Sequence, residues 1–144
     1  HVSHSVMLSA LAERITYVNP AFGRVTGYTR EEVIGQNPRI LRSGVQAPAF
    51  YTAMWAALTS GSPWVADFVN RRKDGSLFTE EAVISPIRDG TGAVTSYVAV
   101  KRDVTSERAI QASSVRLARE RALIAGTIRA IGPRDSPEAT AQAI

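Results

Sequence analysis

Residues 6–11, VMLSAL, read as a short strand, and Arg14 to Val18 alternates and is rich in β-formers, so the two predict a hairpin turning at Ala12-Glu13. Asn19 before Pro20 is a helix start, because Asn caps and Pro is pre-set for the first helical position; Gly27 stops that helix. Thr29 with Glu32 three residues on forms a capping-box pattern that opens a second short helix, closed by Gly35. Pro38 then makes a regular helix unfavourable in GQNPRILRSG, residues 35–44. From Pro48 to Ser60 the apolar residues Phe50, Met54, Ala57 and Leu58 fall on one face at spacings of three and four, which predicts the longest helix of the main body.

The period then changes from helix to strand. Trp64 to Arg71 and Leu77 to Ile87 predict two strands joined by a turn at Lys73-Asp74-Gly75, and Val94 to Val104 a third, after the turn Asp89-Gly90-Thr91-Gly92. Two strands, several short helices and three long strands predict an α+β class: one five-stranded antiparallel sheet with short helices on one face.

The tail has its own pattern. Between Ser106 and Ile131 there is no proline, and Ile110, Leu117, Ile124 and Ile131 recur every seven residues, the mark of a coiled-coil-like helix. Three residues after each stand Ser113, Glu120, Thr127 and Arg134, all polar, so the seam reads as weak. Gly132-Pro133 ends it, and Ser136-Pro137-Glu138 reads as the cap of another helix. The expected organisation is a sensor-sized domain over 1–105, a linker helix over 106–131, and the start of a further domain over 132–144. His1 in place of Met is read as the mark of a fragment.

Composition narrows the chemistry. The 144 residues are 44% hydrophobic, enough for a packed core. The absence of cysteine removes disulfides, thiolate metal sites and thiol nucleophiles, and fits a cytoplasmic setting. No apolar run approaches the roughly 18 residues of a membrane span. The net charge of +4 is spread along the chain, with Arg71-Arg72-Lys73 the one run, so nucleic acid is not an expected partner. Glu80 and Glu81 are adjacent on a strand and point to opposite faces, so they form no acid/base pair; the inward one either contacts a ligand in a pocket or bonds backbone or Lys101, the second being the favoured reading. Ser85 and Thr79 have no histidine partner in sequence, and no phosphate-binding glycine loop occurs, so no catalytic residue and no metal ligand is assigned.

The segments ITYVNPAFGRVTGYTREEVIGQNPRIL (15–41), FYTAMWAALTSGSPW (50–64), VNRRKDGSLFTEEAVISPIRDGTG (69–92) and YVAVKRDVT (97–105) resemble the PAS sensor family. The resemblance covers nearly all of residues 6–105 and implies the five-stranded fold, a sensory or dimerising role, an output domain downstream in the same chain, and a homodimer. Asp103-Val104-Thr105 resembles the family's exit signal into a signalling helix. Members of the light-oxygen-voltage (LOV) type carry a flavin-reactive cysteine where this chain has Pro38, an amide where it has Glu80, and a glutamine where it has Lys101, so a light-driven adduct is not expected. Haem-binding members use a histidine on the central helix, and none stands between residues 50 and 60. The redox-sensing, FAD-holding branch is the nearer resemblance. It implies Trp64 flanking a ring, Asn70 and Glu80 near its polar edge, and Asn37 and Arg39 meeting polar edges or phosphate, with Asn37 directed inward and Arg42 toward solvent. Three readings stay open: bound FAD, another small ligand, or an empty dimerising module.

Overall fold

The computed structural model describes residues 4–131; the expectations at His1, Gly132-Pro133, Arg134 and Ser136-Pro137-Glu138 lie outside them. Strand β1 (Ser5–Ala10) turns back into β2 (Ile15–Val18). The turn spans Leu11–Glu13 rather than Ala12-Glu13: Ala10 N–H donates to the Arg14 carbonyl and Glu13 N–H to the Ala10 carbonyl. It is closed by Glu13 at φ 58°, a left-handed conformation that a Glu adopts at some cost. The expected alternation of β2 does not hold. Ile15 and Val18 are buried while Thr16 and Tyr17 face out, because a bulge opposite Leu8 and Ser9 inserts one extra residue.

Helix α1 (Pro20–Thr26) starts at the Asn19 cap and α2 (Arg30–Val33) at the Thr29–Glu32 capping box. Asn19 does two jobs: its Oδ1 accepts the N–H groups of Phe22 and Val6, and its Nδ2 donates to the His4 carbonyl, tying the helix start to β1. Within 35–44, Pro38–Leu41 forms one 3-10 turn, capped by the Asn37 side chain, whose Oδ1 accepts from Arg39 N–H. Helix α3 (Pro48–Thr59) buries Met54 and Leu58. Strands β3 (Trp64–Arg71), β4 (Leu77–Arg88) and β5 (Val94–Asp103) follow, then α4 (Thr105–Ile131). All neighbouring strands are antiparallel, in the order β2-β1-β5-β4-β3. This is the five-stranded sheet expected from the sequence. The chain divides into two compact units at Thr105/Ser106, and α4 is described by itself.

One face of the sheet carries the core. Met7, Ile15, Val18, Phe22, Val33, Leu41 and Ala99 pack together beside α1 and α2, and Met54, Leu58, Phe68, Ala82 and Tyr97 beneath α3. Trp64 is half-buried at the edge of the second group, edge-on to Phe50 at 5.8 Å between ring centres.

The same face carries buried polar side chains on four neighbouring strands: Ser5 and Ser9 on β1, Lys101 on β5, Glu80 on β4 and Asn70 on β3, each at most 8% exposed. Ser5 stands directly opposite Lys101; Lys101 stands opposite Ala82 and Asn70 opposite Phe78, each two residues along β4 from Glu80. Lys101 Nζ lies 3.6 Å from Glu80 Oε2, and Asn70 Nδ2 donates to that oxygen at 3.0 Å. The other oxygen, Oε1, is buried with no hydrogen-bond partner. Two charges removed from water are held by each other and by one amide. Such a pair costs much of its own attraction in desolvation, yet removing one member strands the other.

The sheet hands over to α4 through Asp103. Its Oδ1 accepts both the N–H and the hydroxyl of Thr105, the first residue of α4, and its Oδ2 pairs with Arg72 at 3.1 Å. Arg72 also donates to the Val25 carbonyl at the end of α1 and lies over the Phe78 ring. Val104 N–H donates to the Thr79 carbonyl and Thr79 N–H to the Thr105 hydroxyl, so the first residue of the helix is pinned to β4.

Three outcomes are expected. Lys101→Met lowers stability by about 3 kcal/mol, because Glu80 is left charged among apolar neighbours, and adding Glu80→Gln recovers more than half of that loss. Urea denaturation of the four variants of the cycle decides it; simple addition of the two losses refutes the coupling. Trp64→Ala costs about 2 kcal/mol, below the full range for a buried aromatic since Trp64 is part-exposed. A chemical-denaturation midpoint equivalent to a loss under about 0.5 kcal/mol would place its ring on the surface. For Asp103, burial pushes the carboxyl up, but the Thr105 hydroxyl and N–H and the Arg72 guanidinium outweigh it and hold the pKa below its ordinary value of 3.8. A depressed carboxylate stabilises the fold above its unfolded pKa and loses that contribution as pH falls through the folded one. The stability gap between the native chain and Asp103→Asn is therefore present at pH 7 and closes below roughly pH 4. A gap that widens on acidification contradicts this.

Candidate functional site

A cavity of about 90 Å³ lies between the inner sheet face, the 3-10 turn and α3. Measured as room for water centres, this is several times the roughly 10–15 Å³ that one water needs. Its floor is Met7 of β1, Phe68 and Asn70 of β3, Ile84 of β4 and Lys101 of β5; Asn37, Leu41 and Arg42 form one wall, and Tyr51, Met54 and Trp55 of α3 cover it.

The local sequence explains each wall. Pro38 and the Asn37 cap fold residues 38–41 into a single tight turn, which drives Leu41 into the core and leaves Arg39 and Arg42 at the rim. An isolated bridge between Arg42 and Asn70 fastens this wall to β3. The Ser43 hydroxyl donates to the Val69 carbonyl, and the Gln46 side chain accepts from Val69 N–H, so 42–46 is stitched along the same strand. Arg42 is exposed, as expected, but its guanidinium lies flat over the Tyr51 ring at 3.7 Å and so forms part of the cavity wall. The Tyr51 hydroxyl has no hydrogen-bond partner although it is shielded from solvent.

The five residues singled out from the sequence separate into groups. Asn37, Arg39 and Asn70 line the cavity. Asn37 is half-buried and faces it, but its amide donates to Glu13 at 3.3 Å and its oxygen is used by the 3-10 turn. Arg39 is exposed at the rim. Glu80 sits one layer behind the lining, held by Lys101 and Asn70, so the expectation that the inward Glu of the pair bonds Lys101 matches the observed geometry. Trp64 is not among the residues lining this cavity, although its cross-strand partner Ile84 is. It shares the inner face of β3 with Asn70 but stands six residues away, and six residues of strand span about 20 Å.

Several lining residues escaped the sequence reading. Lys101 was readable: it shares the inward parity of Tyr97 and Ala99 in YVAVKRD. Glu13 carried no local signal, since its carboxylate reaches the cavity only through the left-handed turn. The stacking of Arg42 on Tyr51 joins two elements whose contact no short-range pattern announces.

Chemically the cavity offers hydrogen-bonding groups at its floor, Lys101 and Asn70, guanidinium groups at its rim, and flat apolar walls from Trp55, Tyr51 and Phe68. These residue types suit a planar heteroaromatic group, but a cavity of about 90 Å³ is well below the roughly 300–1,000 Å³ of ordinary ligand pockets. With Pro38 in the 3-10 turn and no cysteine in the chain, the lining offers no thiol for an adduct.

Known proteins bear this architecture out. The chain is 35% identical over 103 residues to the nitrogen fixation regulatory protein of Klebsiella pneumoniae, covering 72% of this chain and 21% of that protein. It is 36% identical over 93 residues to the blue-light-activated histidine kinase of Brucella abortus, covering 65% of this chain and 19% of the relative. The chain thus spans about a fifth of the length of these curated relatives. The solved structure of an RNA-binding light-oxygen-voltage receptor superposes with a TM-score of 0.75 at 32% identity, over 81% of this chain and 34% of that one. Such neighbours give no support to the narrower placement in a non-LOV branch. The PAS domain profile matches residues 3–106, the whole five-stranded sheet with its covering helices, and the chain belongs to the PAS domain family.

Proposed function

We propose that residues 1–105 are the sensory and dimerising module of a cytoplasmic signalling protein, with the cavity as its input, residues 106–131 as its linker helix and a further domain as its output. Membership of signalling proteins is common to the relatives, and their much greater length supports an output domain elsewhere in the chain. The observation that carries the reading is the place of Lys101. It touches the cavity, it is paired with Glu80 inside the sheet, and it lies two residues before Asp103, whose carboxylate holds the start of α4. A ligand that competes with Glu80 for Lys101, or changes the charge beside it, acts directly on the strand that leads into the helix. Such a module needs two arrangements a few kcal/mol apart, and a marginal buried ion pair supplies an energy on that scale.

A second reading is that the ligand is FAD and the input its redox state. The hydrogen-bonding floor and aromatic walls favour it, with Asn70 and Lys101 at the polar edge of the ring and Arg39 at a phosphate. A bound flavin would supply a centre whose charge and hydrogen bonding change on reduction. A ligand-free interaction module is the third, favoured by the exposed Val65, Val83 and Val100 on the outer sheet face.

An absorbance spectrum of the purified chain, with mass spectrometry of whatever is released on denaturation, separates these readings. The ligand reading expects a released molecule in the native chain, at least tenfold less in Lys101→Met, and unchanged occupancy in Trp64→Phe. Flavin bands select the second reading. A chain that releases nothing in any variant sinks both ligand readings, and loss of occupancy in Trp64→Phe would move the site toward the Phe50 end of β3.

A further inference from the structure

The apolar repeat of α4 has a second half that counting three residues onward conceals. Ile110, Leu117 and Ile124 are 68%, 49% and 60% exposed, far more than a finished surface leaves such side chains. Four residues after each come Ser114, Arg121 and Ile128. At 100° per residue these six positions lie within an arc of about 80°, whereas Ser113, Glu120 and Thr127 fall along one edge of it. Alternating steps of four and three are the seam of a coiled coil, with Ser114, Arg121 and Ile128 at the a positions and Ile110, Leu117 and Ile124 at the d positions. Ala118 and Ala125, at the opposite edge, are short enough for a second helix to come close. Val115 and Leu123 lie off the arc.

Arg121 is the discordant residue: a guanidinium in the middle of an apolar seam needs a carboxylate. Glu120 precedes it at the flanking g position, and among the described residues neither enters an ion pair. Side chains one apart on a helix do not face each other, so Glu120 cannot serve its own Arg121. Across a parallel, in-register pair, however, the g residue of one helix lies beside the following a residue of the other. The stripe is thus self-complementary in charge, and only for one orientation and one register.

We propose that the exposed stripe of α4 is covered by the same stripe of a second copy of this chain, parallel and in register, and that Arg121 with the partner's Glu120 fixes that register. The proposal rests on the dimer reading above and adds to it which residues choose the pairing. Two reciprocal ion pairs form per dimer. An antiparallel pair sets g against g, and a seven-residue slip sets Arg121 against Ser114 or Ile128; both leave Arg121 without its carboxylate. Polar a residues commonly trade stability for such specificity; of the two here, Ser114 and Arg121, Arg121 is the charged one that selects the register.

The test uses the 144-residue chain. In sedimentation equilibrium, Glu120→Arg and Arg121→Glu each weaken the dimer roughly tenfold, since each sets like charges together at two places. Mixed in equal amounts, the two variants form mainly the heterodimer, because each presents what the other lacks; native mass spectrometry counts the three species. Ile124→Cys, in a chain with no other thiol, cross-links under mild oxidation, and Arg119→Cys on the outer face does not. A native chain that stays monomeric at every accessible concentration overturns the dimer reading itself. A dimer that persists but shows no heterodimer preference, or no cross-link through Cys at 124, overturns the register and leaves the dimer standing.

Discussion

The ion pair between Lys101 and Glu80 constrains more of this structure than any other single contact. Both side chains are buried on the face that also carries the core, so each strand that bears one must present that face in one register. Slipping β5 by one residue against β4 would turn Lys101 to solvent and leave Glu80 charged among Phe68, Phe78 and Ala82. An apolar strand pair resists such a slip through packing alone; here desolvation of an unpaired carboxylate adds to the resistance. Asn70 extends the constraint to β3 by donating to the same Glu80 oxygen. Three strands are locked by polar groups, and the cavity opens beside the place where they meet.

That arrangement gives the proposed input a mechanical route. Lys101 and Asp103 share one strand, with side chains on the same side and two residues apart. Arg72 bears on the Asp103 carboxylate, the Phe78 ring and the Val25 carbonyl at once, so the end of β5 is braced against β4 and α1. A change at Lys101 therefore acts on a stiff element whose far end is fixed at a few named contacts. Close packing favours switching between discrete arrangements over gradual bending.

The parts legible in the sequence are those written locally. The Asn19-Pro20 start, the Thr29–Glu32 box and the Lys73-Asp74-Gly75 turn each specify their own backbone, and the order of helices and strands follows from them. The strand order was not legible, because β1 pairs with β5 across some ninety residues of chain and no short pattern records such a partner. The β2 bulge was hidden for a related reason: it depends on how two strands meet, not on what either contains. Trp64 shows what parity leaves open: it puts the ring on the inner face but says nothing of position along the strand, where Trp64 stands about 20 Å from Asn70. Lys101 marks the opposite case, an ionic side chain at an inward parity in an apolar strand, where the sequence alone argues for a buried partner.

Family membership fixes the scaffold of this chain but not its ligand, and the reason lies in which residues do each job. Most of the turns, caps and apolar residues that build the sheet, such as Asn19, Phe22 and the Thr29–Glu32 box, lie away from the cavity, although Met7, Leu41 and Phe68 serve both core and cavity. The cavity is defined instead by a handful of side chains reaching in from distant elements, and several depart from the light-sensing pattern that the fold resembles. Pro38 in the wall shapes a 3-10 turn and offers no nucleophile. Glu80 and Lys101, at positions where that pattern has amides, turn two neutral hydrogen-bonding groups into a coupled charge pair. An amide can rotate to exchange donor for acceptor at little electrostatic cost, whereas Lys101 can only donate and ionised Glu80 can only accept. A change of ligand charge beside this pair is thus felt through electrostatics in a low-dielectric interior, where a displaced partner costs several kcal/mol. In this chain the same fold sets a coupled charge pair on the strand that leads into α4, which is the element the proposed input would act on.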